Sequence, residues 1–155
     1  MHELFYDLIS EFGQNCGIPE LTPNADGSVQ LLFDHSLAVT LFPTATDDQL
    51  IFFCAVKRDD PQVTERLMLR LLDASLFGHS TNGSSFAIEE STGQVILQRM
   101  ERSPGLTYHE FEQILQSFID AAEFWSKEIH KSENDIDGRP RFEEQQVHCT
   151  ASISV

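Results

Sequence analysis

The sequence predicts an α+β fold in the element order α-β-β-β-α-β-β-α, with helices packed on a twisted antiparallel sheet. Two observations carry this prediction. Three short apolar runs, at residues 28–34, 37–42 and 50–56, have the length and composition of strands and are separated by turn residues. Three other segments carry apolar residues at the spacing of three and four that is typical of helices. The chain has 155 residues, which suits a single domain with its own core.

The first helix is predicted close to the start of the chain. Its apolar side chains recur at helical spacing, with acidic residues between them: Leu4, Phe5, Leu8, Ile9 and Phe12. Gly13 or Gly17, followed by Pro19, is expected to end this helix.

The three apolar runs are predicted to form an antiparallel meander. Asp34-His35-Ser36 makes the first turn, and the second connection begins at Pro43. If one face of the sheet were wet, the residues pointing to that face would be polar. Instead, the second face carries four large apolar side chains: Leu32, Phe42, Ile51 and Phe53. We therefore expect both faces of this sheet to need cover.

The second helix is predicted from Asp60 as N-cap and Pro61 at its first position to about Phe77, with Gly78 as its stop. Its apolar residues lie almost all round the helix axis, which is typical of a helix buried on more than one side. We expect one side to face the sheet and the other a second copy of the chain. The alternative is burial of both sides within one chain. The residues predicted for the dimer interface are Val63, Leu67, Met68, Leu72 and Leu76.

Two further strands are predicted at Ser85–Glu89 and at residues 94–100, joined by a turn that contains Gly93. Thr107 and Glu110 form a capping box for a last long helix that reaches Ile129. From residue 131 the apolar content falls and polar residues dominate. We therefore predict a single domain over residues 1–130 and a disordered tail over residues 131–155.

The composition narrows the classes of partner. Twenty-five acidic and ten basic residues give a formal charge of −15, with no Lys/Arg cluster. Binding to nucleic acid or to an anionic membrane surface is therefore not expected. The acidic surface is either a steering field for a basic partner or a solubility device. No basic-then-apolar leader opens the chain and no apolar run approaches roughly 18 residues, so we expect a cytoplasmic protein.

The sequence carries no recognisable catalytic signature. It lacks the glycine-rich phosphate loops and the G-x-S-x-G nucleophile motif. The six histidines and three cysteines are not at metal-ligand spacing, so neither a metal nor another cofactor is expected. Residues 133–144 match a calcium loop in part, but Glu133 and Pro140 do not fit its pattern. We therefore expect no enzyme; a small acid/base enzyme is the alternative with the weakest support.

The element order and several local patterns together resemble a class I type III secretion chaperone of the Tir-chaperone (CesT-like) family. The resemblance covers about residues 1–130. The patterns that carry it are C-G-I-P at 16–19, L-L-F-D at 31–34, A-V-T-L at 38–41, F-A-I-E-E-S-T-G-Q-V-I-L at 86–97 and A-E-F-W at 122–125. They are packing patterns and not catalytic ones.

This resemblance implies a homodimer with the second helix at its interface. It also implies that the N-terminal segment of a secreted effector wraps the dimer in extended form and covers the apolar sheet face. The residues this assigns to effector binding are Leu4, Phe5, Leu8, Leu32, Phe42, Ile51 and Phe53. Ordinary core packing is the alternative for each. A further role, binding a regulatory protein that controls secretion genes, is also implied. A generic dimeric adaptor unrelated to secretion is the alternative function.

Overall fold

The structure, a computed structural model, describes residues 3–18, 20–46, 48–56 and 63–129, and the backbone of residues 151–152. The helices are α1 (Glu3–Asn15), α2 (Glu65–Ser75) and α3 (Tyr108–Glu128), with a 3₁₀ turn at Leu76–Gly78. The strands are β1 (Val29–Phe33), β2 (Leu37–Pro43), β3 (Gln49–Val56), β4 (Ser85–Glu89), β5 (Gln94–Arg102) and β6 (Ala151–Ser152). The predicted α+β fold and its element order are confirmed, and β6 is an addition.

All strands belong to one sheet in the order β4-β5-β3-β2-β1-β6, and every neighbouring pair is antiparallel. β1, β2 and β3 form the predicted meander. The chain then passes through α2 to β4. The next strand, β5, pairs with the whole length of β3, from Gln49–Arg102 to Val56–Val95. This long pairing joins the two halves of the domain.

The hydrophobic core lies between one face of the sheet and helices α1 and α3. Phe52 on β3 is fully buried, and its ring lies 6.1 Å from Phe111 and 5.9 Å from Phe118 between centroids. Phe12 of α1 meets Phe111 edge-on at 6.3 Å. These are the offset and edge contacts that aromatic rings prefer. The sheet face that points to this core is called the inner face below.

Helix α3 begins as the sequence predicted. The Thr107 side chain accepts a hydrogen bond from the Glu110 amide at 3.3 Å, and Glu110 Oε2 accepts one from the Thr107 amide at 2.9 Å. This reciprocal pair is the capping box, and it satisfies two amides that the first turn leaves without a helical acceptor.

Helix α2 begins later than predicted. Thr64 has extended backbone angles of φ −72° and ψ 154°, and its side chain accepts from the Leu67 amide, so Thr64 is the N-cap. The predicted start at Asp60 and Pro61 is therefore wrong as a start of this helix; both residues lie outside the described part. The helix also ends two residues early, at Ser75, because Phe77 has a φ of 54°.

The predicted tail is described at two residues only. Ala151 and Ser152 pair with Phe33 and Leu32 of β1, a pairing that the sequence analysis did not include. The prediction of disorder for residues 131–155 otherwise falls outside the described residues.

Candidate partner-binding and self-association surfaces

The sheet face opposite the core, called the outer face below, is apolar at its centre. The four side chains predicted to lie there, Leu32, Phe42, Ile51 and Phe53, are half-buried and stand outside the buried core. Strand alternation explains their position, because each lies next to an inward-pointing residue such as Phe52 or Leu41. The sequence thus predicted the position of these four side chains.

Register and ring contacts join Phe42, Ile51 and Phe53 into one patch, whereas Leu32 stands opposite Ala38 nearer the other end of β2. Phe42 stands opposite Ile51 on the neighbouring strand, and the Phe42 and Phe53 rings meet edge-on at 6.0 Å. Sequence reasoning missed Met100, which pairs with Ile51 across β3 and β5 and is 57% exposed. It also missed the half-buried Ile96, which lies four residues before Met100 on the same face of β5. The alternation along residues 94–100 was the signal that could have found both.

Helix α1 contributes less to an exposed surface than predicted. Leu4 is 38% exposed, but Phe5 and Leu8 are each only 4% exposed. The predicted exposure of Phe5 and Leu8 is wrong, because α1 turns this side towards the core that it shares with α3. Leu4 is the residue of the three that remains available to a partner.

Helix α2 has one buried side and one exposed apolar side. Leu71 and Ala74 are buried, and Ser75 Oγ accepts a hydrogen bond from the Phe86 amide of β4 at 2.9 Å. The exposed apolar side chains, called the α2 face below, are Met68, Leu69, Leu72, Leu76 and Phe77, with Leu72 at 63% and Phe77 at 85% exposed. The alternative of a helix buried on both sides within one chain is therefore wrong.

The predicted dimer residues divide between these two sides. Met68, Leu72 and Leu76 lie on the α2 face, whereas Val63 and Leu67 are half-buried against the core of their own chain. Sequence reasoning missed Leu69 and Phe77. Helical periodicity could not separate the two sides, because apolar residues occupy both.

An ion pair fixes α2 against the end of α3. Arg70 and Glu128 approach to 2.7 Å with side chains only 17% and 10% exposed. The Arg70 guanidinium also lies 5.1 Å from the centre of the Trp125 ring. Both contacts hold the middle of α2 against α3. The exposed α2 face therefore has a defined orientation.

Burial shifts the pKa of several titratable groups among the described residues. Burial raises the pKa of the Cys54 thiol to about 12, so this cysteine is not a nucleophile at neutral pH. Burial also raises the pKa of Asp120 and of Glu123 on α3, and in Glu123 the nearby charge of Asp34 adds to the effect. Among the residues that the structure describes, no three His, Cys, Asp or Glu side chains form a metal-binding group.

No described helix combines the length and the apolar character needed to cross a membrane. An apolar sheet face and an apolar helix face on one small α+β domain define a protein-binding domain of the chaperone type. The chain belongs to the Tir chaperone protein (CesT) family, whose family model matches residues 7–126. The resemblance to class I type III secretion chaperones predicted from the sequence is therefore confirmed.

Individual relatives agree with this family. The transcriptional anti-antiactivator ExsC of Pseudomonas aeruginosa is 31% identical over 120 residues, which cover 77% of this chain and 81% of ExsC. A crystal structure of the ExsC–ExsE complex matches with a TM-score of 0.68 and 28% identity, covering 81% of this chain and 93% of the matched chain. The structure of the HopA1–SchA chaperone–effector complex matches with the same TM-score at 14% identity and covers 80% of this chain and 94% of the matched chain. At this identity it shows the fold alone.

Proposed function

We propose that this chain is a homodimeric type III secretion chaperone of the bacterial cytoplasm. It binds the N-terminal segment of a secreted effector in extended form and so keeps that effector soluble and competent for secretion. The observation that carries the proposal is the presence of two separate apolar surfaces on one domain: the α2 face and the outer face. One surface serves self-association and the other serves the effector.

The α2 face supports self-association. Its five apolar side chains form a continuous strip on consecutive turns, from Met68 to Phe77. Two copies related by a twofold axis would bury the same strip on both sides, which is the usual geometry of homodimers. The Arg70–Glu128 pair holds the helix in place before the dimer forms.

The outer face supports effector binding. Phe42, Ile51 and Met100 form one row across β2, β3 and β5, with Phe53 two residues along β3 from Ile51. An extended segment lying along this row would meet apolar side chains from three strands, and Leu32 on β1 adds an apolar side chain beyond it. An extended segment suits this surface because it exposes side chains on alternate sides and needs no preformed fold. Leu4 on α1 adds one further apolar contact.

Membership of the Tir chaperone protein family supports a secretion role over a generic adaptor. The relative ExsC is a transcriptional anti-antiactivator, and it has been crystallised with ExsE. We extend this to the present chain as a second role: the same surface binds a regulatory protein in competition with the effector. The proposal involves no catalysis, cofactor, nucleic acid or membrane.

Two substitutions of similar chemistry test the two surfaces against each other. Leu72→Asp places a charge on the α2 face, and Met100→Asp places one on the outer face; both positions are exposed, so folding should survive. Each variant is co-expressed with secreted proteins encoded beside its gene and analysed by size exclusion with light scattering.

We expect the unchanged protein alone to be a dimer of about 35 kDa, twice the 17.6 kDa chain, and its complex to be heavier by the mass of the bound effector. Leu72→Asp should yield a 17.6 kDa monomer, whereas Met100→Asp should remain dimeric and lose the effector. A monomeric unchanged protein would overturn the dimer. Undiminished effector capture by Met100→Asp would overturn the assignment of the outer face.

A further inference from the structure

The two edges of the sheet differ in their availability to an added strand. At the β4 edge, α2 packs against the strand, and the Phe86 amide already donates to Ser75 Oγ at 2.9 Å. A new strand could pair there only by displacing α2. Strand addition by a partner is therefore directed to the opposite edge, which is β1.

The chain itself already occupies part of that β1 edge. On one side β1 pairs with β2 over five residues, from Val29–Leu41 to Phe33–Leu37. On the other side Ser152 and Ala151 of β6 pair antiparallel with Leu32 and Phe33. Ala151 and Ser152, the described residues of β6, pair with Phe33 and Leu32 and not with Val29, Gln30 or Leu31.

We infer that β6, Ala151–Ser152, is a built-in competitor for the partner's strand at the β1 edge. The inference rests on the proposed function, in which the partner binds as an extended segment. Strand pairing uses backbone N–H and C=O groups that every segment possesses, so the chain's own segment and a foreign one can use the same positions of β1.

β6 sets the minimum number of pairs with β1 that a partner strand must exceed in order to bind. Because β6 belongs to the same chain, its effective concentration at the β1 edge is independent of protein concentration. The described pairing of Ala151 and Ser152 covers Leu32 and Phe33, so a partner strand that spans all of Val29–Phe33 forms more pairs with β1 than these two residues do and displaces them. A segment that fits only Leu32 and Phe33 forms no more pairs than Ala151 and Ser152 already make and is excluded. The free chaperone thereby also has a shorter unprotected edge through which to aggregate.

Hydrogen exchange tests the docking of β6 without any partner. A chain ending at Thr150 lacks β6, and a chain ending at Ser152 keeps it and serves as the matched control. We expect the β1 amides that face away from β2 to exchange at least fivefold faster in the chain ending at Thr150. In the control they should stay within twofold of the full chain. Equal exchange in all three chains would overturn the inference.

A labelled peptide then tests competition. The probe copies residues 147–155 with Cys149→Ser, and its binding is followed by fluorescence anisotropy. It should bind the chain ending at Thr150 at least fivefold more tightly than the full chain. In the full chain β6 already pairs with Leu32 and Phe33, whereas the shortened chain leaves these positions of β1 open. Equal affinity for both would show that the segment does not compete.

The effector itself separates this inference from the proposed function. An effector that binds the chain ending at Thr150 more tightly than the full chain supports both. Equal effector affinity for both chains leaves the chaperone function standing and overturns the competition. Absence of any effector binding overturns the proposed function, whereas the exchange and peptide results still decide whether β6 occupies the edge.

Discussion

Phe52 and Phe53 are neighbours on β3 with different surroundings. Phe52 is fully buried between Phe111 and Phe118, whereas Phe53 is half-buried on the outer face against Phe42. Because the side chains of a strand alternate between its two faces, one residue serves the core and the next serves the surface. The pair therefore offers a matched test of which face binds the effector.

We expect Phe52→Ala to lower the free energy of unfolding by about 3–5 kcal/mol, the usual cost of a cavity at a buried aromatic position. Phe53→Ala should cost less, about 1–2 kcal/mol, since part of its side chain is already exposed to solvent. Effector affinity should fall at least tenfold in Phe53→Ala. Urea denaturation and isothermal titration measure the two quantities. Equal loss of stability in both variants would contradict the assignment of the two faces.

The capping box of α3 is a second feature that single residues determine. Thr107→Ala should lower the free energy of unfolding by about 1 kcal/mol, because the Glu110 amide loses its acceptor. Thr22→Ala, in an exposed loop, is the control and should have little effect.

The same box has a predictable pH dependence. Hydrogen bonds from the Thr107 side chain and amide lower the pKa of Glu110 below its ordinary value of 4.5. A lowered folded-state pKa contributes stability above pH 4.5, and this is lost as the pH falls through the folded-state pKa. The difference between Thr107→Ala and the unchanged protein should therefore shrink in acid. A difference that grows below pH 4.5 would contradict this account.

At the scale of elements, α2 depends on few buried contacts, because Leu71 and Ala74 are its buried residues while Met68, Leu69 and Leu72 are exposed. Arg70 supplies two of them, the ion pair with Glu128 and the contact with Trp125. Removing one member of a largely buried ion pair leaves the other charge poorly solvated. Arg70 therefore holds α2 in place together with the buried Leu71 and Ala74.

We expect Arg70→Met to lower the free energy of unfolding by roughly 2–4 kcal/mol, somewhat less than for a fully buried pair. Arg66→Met, an exposed arginine on the same helix, is the matched control and should change it by less than about 0.5 kcal/mol. The double variant Arg70→Met with Glu128→Gln should recover part of the loss. Similar losses at both arginines in urea denaturation would refute the special role of Arg70.

At the scale of the whole molecule, folding and self-association are linked. The α2 face leaves Leu72 and Phe77 more than half exposed in a single chain, which a stable isolated monomer rarely tolerates as a continuous strip. Association that occurs only in the folded state stabilises the fold by mass action.

The melting temperature should therefore rise with protein concentration. Over a hundredfold range of concentration we expect a shift of several degrees in the unchanged protein, and none in Leu72→Asp. Differential scanning calorimetry measures both. A melting temperature independent of concentration in the unchanged protein would show that the fold does not depend on a dimer.

The sequence by itself determined the features that depend on near neighbours along the chain. The order of the elements, the Thr107–Glu110 capping box and the apolar outer side of β1–β3 follow from spacings of two, three and four residues. These spacings directly express strand and helix geometry, so they could be read without a structure. The resemblance to the Tir-chaperone family rested on the same local patterns and was confirmed.

Only the tertiary structure decided which segments meet. Phe5 and Leu8 became core because α1 packs beside α3, and Met100 joined the outer face because β5 pairs with β3. The pairing of β6 with β1 was likewise decided by the fold alone. Such contacts join segments far apart in the chain, and their energy depends on shape and burial across the interface. No spacing along the chain encodes that information.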